Sequence, residues 1–310
     1  MKIVLAGGSG FLGRALARRL LADGHDVVVL TRQTAGAPAT GDRTIGRDVS
    51  WTPDGTTGAW AAEIDGADAV VNLAGAGIAD KRWTTARKAL IRSSRVLSTR
   101  SLAAAMRASS KRPPVFVQGS AVGFYGADLS DRVRDESAPP GDDILGDICV
   151  AWEAEAHPIA ALDVRLVFVR TGIALAMEGG ALPLIRLPFK WFVGGRVASG
   201  RQYFSWVHRD DWVNLVVWAI MTPTVAGAIN GTAPGAVTNA EFSRALARAT
   251  HRPNWLPVPG FALRVLVGEF ANAGLVAGQR VAPVRTQQLG FTFAHPVIDE
   301  ALADLEQRQR

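Results

Sequence analysis

The chain has 310 residues, 48% of them hydrophobic and 20% charged, enough to bury a sizeable core in one large domain or two smaller ones. Its formal net charge of +6 comes almost wholly from arginine, since only five of the 34 basic residues are lysines, and no basic run is interleaved with aromatics, which argues against a nucleic-acid partner. One cysteine, Cys149, excludes an internal disulfide and suits the cytoplasm, and no stretch approaches the about 18 apolar residues of a membrane span.

Lys2–Ala6 reads as a buried strand, and its apolar run stops at glycines too soon for a secretory core. Gly7, Gly10 and Gly13 follow, and then Leu12, Leu16, Leu20 and Leu21 at helical spacing. A strand, three glycines in this spacing and a helix form the pattern that holds a dinucleotide. The first glycine permits a tight turn, the second a close approach to the pyrophosphate, and the third close packing of helix on sheet. His25–Thr31 is a second strand, and its tip reads Thr31-Arg32-Gln33. An acidic residue there would accept the ribose 2′-hydroxyl, whereas Arg32 can pair a 2′-phosphate, so NADP is expected over NAD.

A weaker strand falls near Ile45–Trp51. Asp68–Leu73, Pro114–Gly119 and Val164–Val169 are further strands, with a long helix over Thr84–Ala108 between the first two. The alternation predicts an α/β fold: a Rossmann-type doubly wound parallel sheet with a smaller substrate lobe and a C-terminal helical appendage. Ala127–Gly146 and Gly194–Arg201 are loop-like. A helix is expected over Trp212–Met221 with Asp210 or Asp211 as its cap, and another from Asn239-Ala-Glu241. Prolines 253, 257 and 259 then precede an apolar helix near Phe261–Asn272. The expected division is 1–256, with the Rossmann core mainly in 1–170 and the lobe mainly in 171–256, followed by a small domain over 257–310.

Asn72-Leu-Ala-Gly75, Gly119–Gly126 (GSAVGFYG) and the glycine loop resemble the extended short-chain dehydrogenase/reductase superfamily, home of nucleotide-sugar epimerases and dehydratases. Ile78–Trp83, Ser93-Ser94-Arg95, Trp152-Glu153, Gly200-Arg201-Gln202, Ser205–Asp211 and the tail resemble more closely an atypical "epimerase family" branch. That branch has a small C-terminal domain of unknown function, and some members have been labelled cell-division inhibitors. The resemblance implies cofactor contacts at Gly7, Gly10, Phe11, Leu12, Gly13, Arg32, Leu73, Ala74 and Gly75. It places Ser120, or Ala121 on the neighbouring alignment, where the superfamily keeps a catalytic Ser or Thr.

The superfamily's proton transfer rests on a Tyr with a Lys four residues later, the ammonium lowering the phenol's pKa. This chain has no such pair. Its two tyrosines, Tyr125 and Tyr203, are followed at that distance by Leu129 and Val207. Cys149 and Glu153 hold the corresponding helical spacing, Cys149 as packing and Glu153 as an ion-pair partner, with Arg95 its expected mate. A Tyr125–Lys81 pair assembled from separate loops is the alternative proton route. Trp191–Trp206 is either a substrate-facing loop, with Arg201, Gln202 and Trp206 beside Arg95 as substrate contacts, or an exposed hairpin shielding the appendage. Five scattered histidines show no ligand spacing, so no metal is expected.

These residues point to an NADP-dependent oxidoreductase of atypical type acting on a small-molecule substrate, with no nucleic-acid or membrane partner and a homodimer as one possible state. The alternatives are a nucleotide-sugar epimerase, or a regulator without catalysis that senses NADP.

Overall fold

A computed structural model describes residues 1–32, 45–259 and 277–309. Seven parallel strands form the central sheet: β1 (Lys2–Ala6), β2 (Asp26–Thr31), β3 (Arg47–Ser50), β4 (Ala69–Asn72), β5 (Val115–Ala121), β7 (Arg165–Thr171) and β11 (Gly227–Gly231). Their order is β11-β7-β5-β4-β1-β2-β3. The chain therefore winds one way from β1 through β2 to β3 and the other way from β4 onward, and Val4 faces both Val28 and Val70 in register. A crevice opens where the winding reverses, at the carboxyl ends of β1 and β4.

The inner strands are apolar on both faces because both are covered. Ile3, Leu5, Val27, Val29 and Val71 pack under α1 (Phe11–Ala22) and α6 (Arg209–Met221) through Leu16, Leu20, Trp212 and Val216. Val4, Val28, Val70 and Phe116 pack on the other side against Leu102 and Met106 of α2 (Thr85–Ala108). The expected α/β class and all six expected strands are present, Lys2–Ala6 with the expected bounds and the other five differing by a residue or two at one or both ends.

The loop-like stretch before α3 (Ile144–Ala154) contains a short strand, β6 (Val133–Arg134), and α4 (His157–Ala160) follows α3. In the second half β8 (Ile173–Leu175) pairs with β10 (Trp206–His208), and β9 (Tyr203–Phe204) pairs with β12 (Val237–Thr238). Helices α5 (Leu182–Lys190), α7 (Asn239–Thr250) and α9 (Ile298–Gln307) close a separate core of Leu182, Phe189, Trp206, Phe242, Leu246, Leu302 and Leu305. The tail reaches back to the main body as well: β13 (Arg280–Val281) pairs with β6, and α8 (Val284–Gln288) lies against β11. The apolar helix expected near Phe261–Asn272 lies outside the described residues.

One helix start matches expectation and one differs. Helix α7 begins at Asn239 as expected, capped by Thr238 in a reciprocal box with Glu241. Helix α6 begins three residues early, at Arg209, because the His208 ring accepts the Asp210 N–H through Nδ1 at 3.2 Å. Asp210 instead pairs with Arg209 and Arg308. Asp211 turns inward, where its two oxygens accept the backbone N–H groups of Ala294 and His295 at 2.8 and 2.9 Å.

Candidate functional site

The glycine loop is shaped by contacts that tolerate no side chain. Gly7 has φ +81°, and a Cβ there would stand 2.7 Å from the Leu73 carbonyl. A Cβ on Gly13 would stand 2.3 Å from the Gly7 carbonyl oxygen. The end of β1 thus sits directly on the Leu73-Ala74 turn that follows β4, and α1 starts tight against the loop. The Leu73 N–H donates to Ala6 and the Ala74 N–H to the Asn72 side chain, which fixes that turn.

The start of α1 is left open. Its cap is Gly10, with no side-chain hydrogen bond and no acidic residue in the first turn. Helices α2, α3 and α7 are closed by Thr84, Asp143 and Thr238 respectively. Free N–H groups with the positive end of a helix dipole, at the carboxyl edge of a parallel sheet, suit a phosphate. Arg32 is exposed just past β2, on the same edge. Phe11 turns the other way, its ring packed where a Cβ on Gly179 would lie 2.6 Å from it, so the second half of the chain abuts the start of α1.

Beyond the crevice lies a buried polar network that sequence reading foresaw only in part. Ser120, at the carboxyl end of β5, donates to Glu153 Oε1 at 2.6 Å. Glu153 is gripped by Arg170 through two bonds of 2.9 Å, and both side chains are 7% exposed. Glu153 therefore pairs with Arg170 and not with Arg95. The Arg95 guanidinium bonds the Ala76 and Ile91 carbonyls, lies beside Gly75, and sits 5.0 Å from the Trp152 ring.

Arg170 also covers the Phe124 ring at 3.4 Å and donates to the Tyr125 hydroxyl at 3.1 Å. That hydroxyl donates to Asn230 Oδ1 at 2.7 Å. Asn230 in turn bonds the Ala282 carbonyl, and Glu136 accepts from the N–H groups of Asn230, Arg285 and Thr286. The signal for Arg170 was a charge ending an otherwise apolar strand. Glu136 and Asn230 carried no comparable signal.

These bonds decide between several expectations. Burial pushes the Tyr125 phenol up to about 12 against the opposing pull of Arg170, so this phenol is the reverse of an activated one. Lys81 is exposed and is not among its partners, so the structure does not assemble the Tyr125–Lys81 pair. Cys149 packs against Val122, Phe124 and Tyr125, and burial raises its thiol to about 12.

Trp206, expected at the substrate, is wholly buried, with its indole N–H on the Gly235 carbonyl. Its ring joins Leu182, Phe189, Phe242 and Leu302 in the second core. Gln202 is 3% exposed and bonds the Val197 carbonyl, while Arg201 is exposed. The surrounding loop bonds the chain where the tail begins, Gly194 accepting from Trp255 and Arg196 from Val258. The histidines, scattered in sequence, are not all scattered in space: ligand atoms of His208, His295 and Asp304 lie within 4.8 Å of one another. Among the described residues no helix is long and apolar enough to cross a membrane.

A parallel sheet with its switch point beside an open helix start and a glycine turn defines a Rossmann-type dinucleotide-binding protein. The NAD dependent epimerase/dehydratase family model matches residues 3–143, and a domain of unknown function matches 258–305. The chain is 40% identical over 313 residues to "Epimerase family protein SDR39U1 homolog, chloroplastic" of Arabidopsis thaliana, covering 99% of this chain and 87% of that one. It is 37% identical to the epimerase family protein YfhF of Bacillus subtilis, covering 98% of each. The human epimerase family protein SDR39U1 (isoform 2), solved with NADPH, superposes with a TM-score of 0.88 at 31% identity over 99% of both chains. The chain belongs to the NAD dependent epimerase/dehydratase family, in the group of epimerase family proteins that carry this C-terminal domain.

Proposed function

We propose that this protein is an NADP(H)-dependent oxidoreductase of atypical type, acting on a small molecule held between the sheet's carboxyl edge and the second half of the chain. The observation that carries the reading is the uncapped, carboxylate-free start of α1 beside Gly7 and Gly13, with Arg32 exposed at the tip of β2. The solved human relative with NADPH supports the same cofactor. Gly7, Gly10, Leu12 and Gly13 would take the pyrophosphate, Leu73, Ala74 and Gly75 the adenosine side, and Arg32 the 2′-phosphate.

A nicotinamide cofactor supplies a hydride donor or acceptor. The proton needs another group, and the buried Tyr125 hydroxyl is committed to Asn230 and Arg170. Ser120 is better placed. Its hydroxyl hydrogen points at Glu153, which leaves the oxygen's lone pairs to receive a substrate hydroxyl, and two bonds from Arg170 hold the Glu153 carboxylate in place. Arg95 and Arg201 remain the substrate-side cations of this reading. The single buried cysteine supports a reducing compartment such as the cytoplasm; the Arabidopsis relative is described as chloroplastic.

NADPH should raise the melting temperature more than NADH does. Arg32→Ala should raise the dissociation constant for NADPH much more than that for NADH, and equal changes would remove the assignment. A metabolite screen for hydride exchange tests the oxidoreductase itself. The second reading, an NADP-sensing regulator, draws on the chain of bonds from Ser120 through Tyr125 and Asn230 to the tail. Tight NADPH binding without turnover, together with a protein partner captured only when the cofactor is bound, would select it.

A further inference from the structure

We propose that His208, His295 and Asp304 form a zinc site that clamps the tail onto the start of α6. The three residues come from separate places. His208 immediately precedes α6, His295 lies in the extended stretch before α9, and Asp304 is on α9. Their ligand atoms lie within 4.8 Å of one another.

Two observations go beyond proximity. His208 has no exposed side-chain surface, yet its Nε2 finds no hydrogen-bond partner, while Asp304 Oδ2, the carboxylate oxygen beside it, is paired with Arg308 at 2.8 Å. A buried polar atom left without a partner is costly and calls for an explanation. His208 Nε2 and Asp304 Oδ2 are 3.2 Å apart and are not aligned as a hydrogen bond. Two ligands each about 2.0–2.1 Å from one zinc ion at a tetrahedral angle stand about 3.3 Å apart. The spacing of these two atoms is that of an edge of a zinc tetrahedron.

The donor set fits. Two imidazoles and a carboxylate suit zinc, and three protein ligands leave a fourth position for water. Binding asks for two local changes. The His208 and His295 rings now stack with centroids 3.9 Å apart, so the half-buried His295 must turn its edge toward the ion. His208 now accepts the Asp210 N–H at Nδ1, so metal at Nε2 requires the tautomer with its proton on Nδ1 and gives up that long cap bond. Arg308, which pairs with Asp304 Oδ2 at 2.8 Å and also with Asp210, can keep the second partner when zinc takes the first.

The test uses the full chain without a histidine tag, stripped by a chelator and titrated with zinc chloride by calorimetry. One ion per chain is expected, with a melting temperature that rises with zinc concentration, and cobalt(II) should give the intense visible bands of a tetrahedral site. His295→Ala and Asp304→Asn, both at half-buried positions, should each weaken binding at least tenfold while keeping the parent's circular dichroism. If one variant misfolds, the other decides. A stripped protein that takes up no zinc overturns the proposal, as do folded variants that bind zinc as tightly as the parent.

Discussion

Removing the Glu153 carboxylate tests whether the buried network holds the fold as described. In Glu153→Ala the Arg170 guanidinium loses both 2.9 Å bonds and Ser120 loses its 2.6 Å acceptor, in a place where both ionic side chains are 7% exposed. Stranding one member of a buried pair costs about 3–5 kcal/mol. Arg170 keeps the Tyr125 hydroxyl at 3.1 Å and the Phe124 face at 3.4 Å, so the lower end, about 3 kcal/mol, is expected. For a chain of this size that is a fall of about 6 °C in melting temperature. The double variant Glu153→Leu with Arg170→Met removes both charges and should recover to within about 1 kcal/mol of the parent. Urea unfolding followed by far-ultraviolet circular dichroism measures Glu153→Ala, the double variant and its two single parents, Glu153→Leu and Arg170→Met. A single variant that loses less than about 1 kcal/mol, or a double variant that loses the sum of its parts, refutes the account.

Three further outcomes follow from burial and close contact. The Tyr125 phenol is raised from 10.0 to about 12, so the fold favours its neutral form; the stability this gives is complete below pH 10 and is lost as pH rises toward 12. In Tyr203→Phe, a smooth phenolate absorbance midpoint near 10 in the folded protein would contradict this. Cys149, with its thiol raised to about 12, should resist thiol reagents until the protein is unfolded, and rapid full labelling of the native chain would show the burial to be wrong. Gly13→Ala puts a methyl 2.3 Å from the Gly7 oxygen and should weaken NADPH at least tenfold. Gly24→Ala, at φ +82° with nothing within 4 Å, should cost about 1 kcal/mol of stability and leave NADPH affinity unchanged.

The sheet and the glycine loop were legible because each rests on local pattern: apolar runs of strand length and glycines at fixed offsets. The chemistry of the interior was not. That Glu153 needs a cation could be argued from its helix, but choosing Arg170 over Arg95 depended on β5 and β7 lying side by side, a pairing between distant segments. Trp206 looked like a ligand contact because it stands in a run of aromatics and glycines, and only the clustering of its ring with apolar side chains of α5, α7 and α9 makes it core. The His208, His295 and Asp304 cluster was invisible for the same reason, since its members come together only when the tail docks.

Glu136, Asp211 and Asn230 belong to the body of the chain, yet each gives at least one side-chain polar atom to the tail: to α8, to Ala294 and His295, and to the Ala282 carbonyl. A chimera that grafted another relative's tail onto this body would inherit those three residues as fixed sockets. Exchange of the tail among family members should therefore succeed only when positions 136, 211 and 230 travel with it, which makes them the natural seam along which such hybrids should be cut.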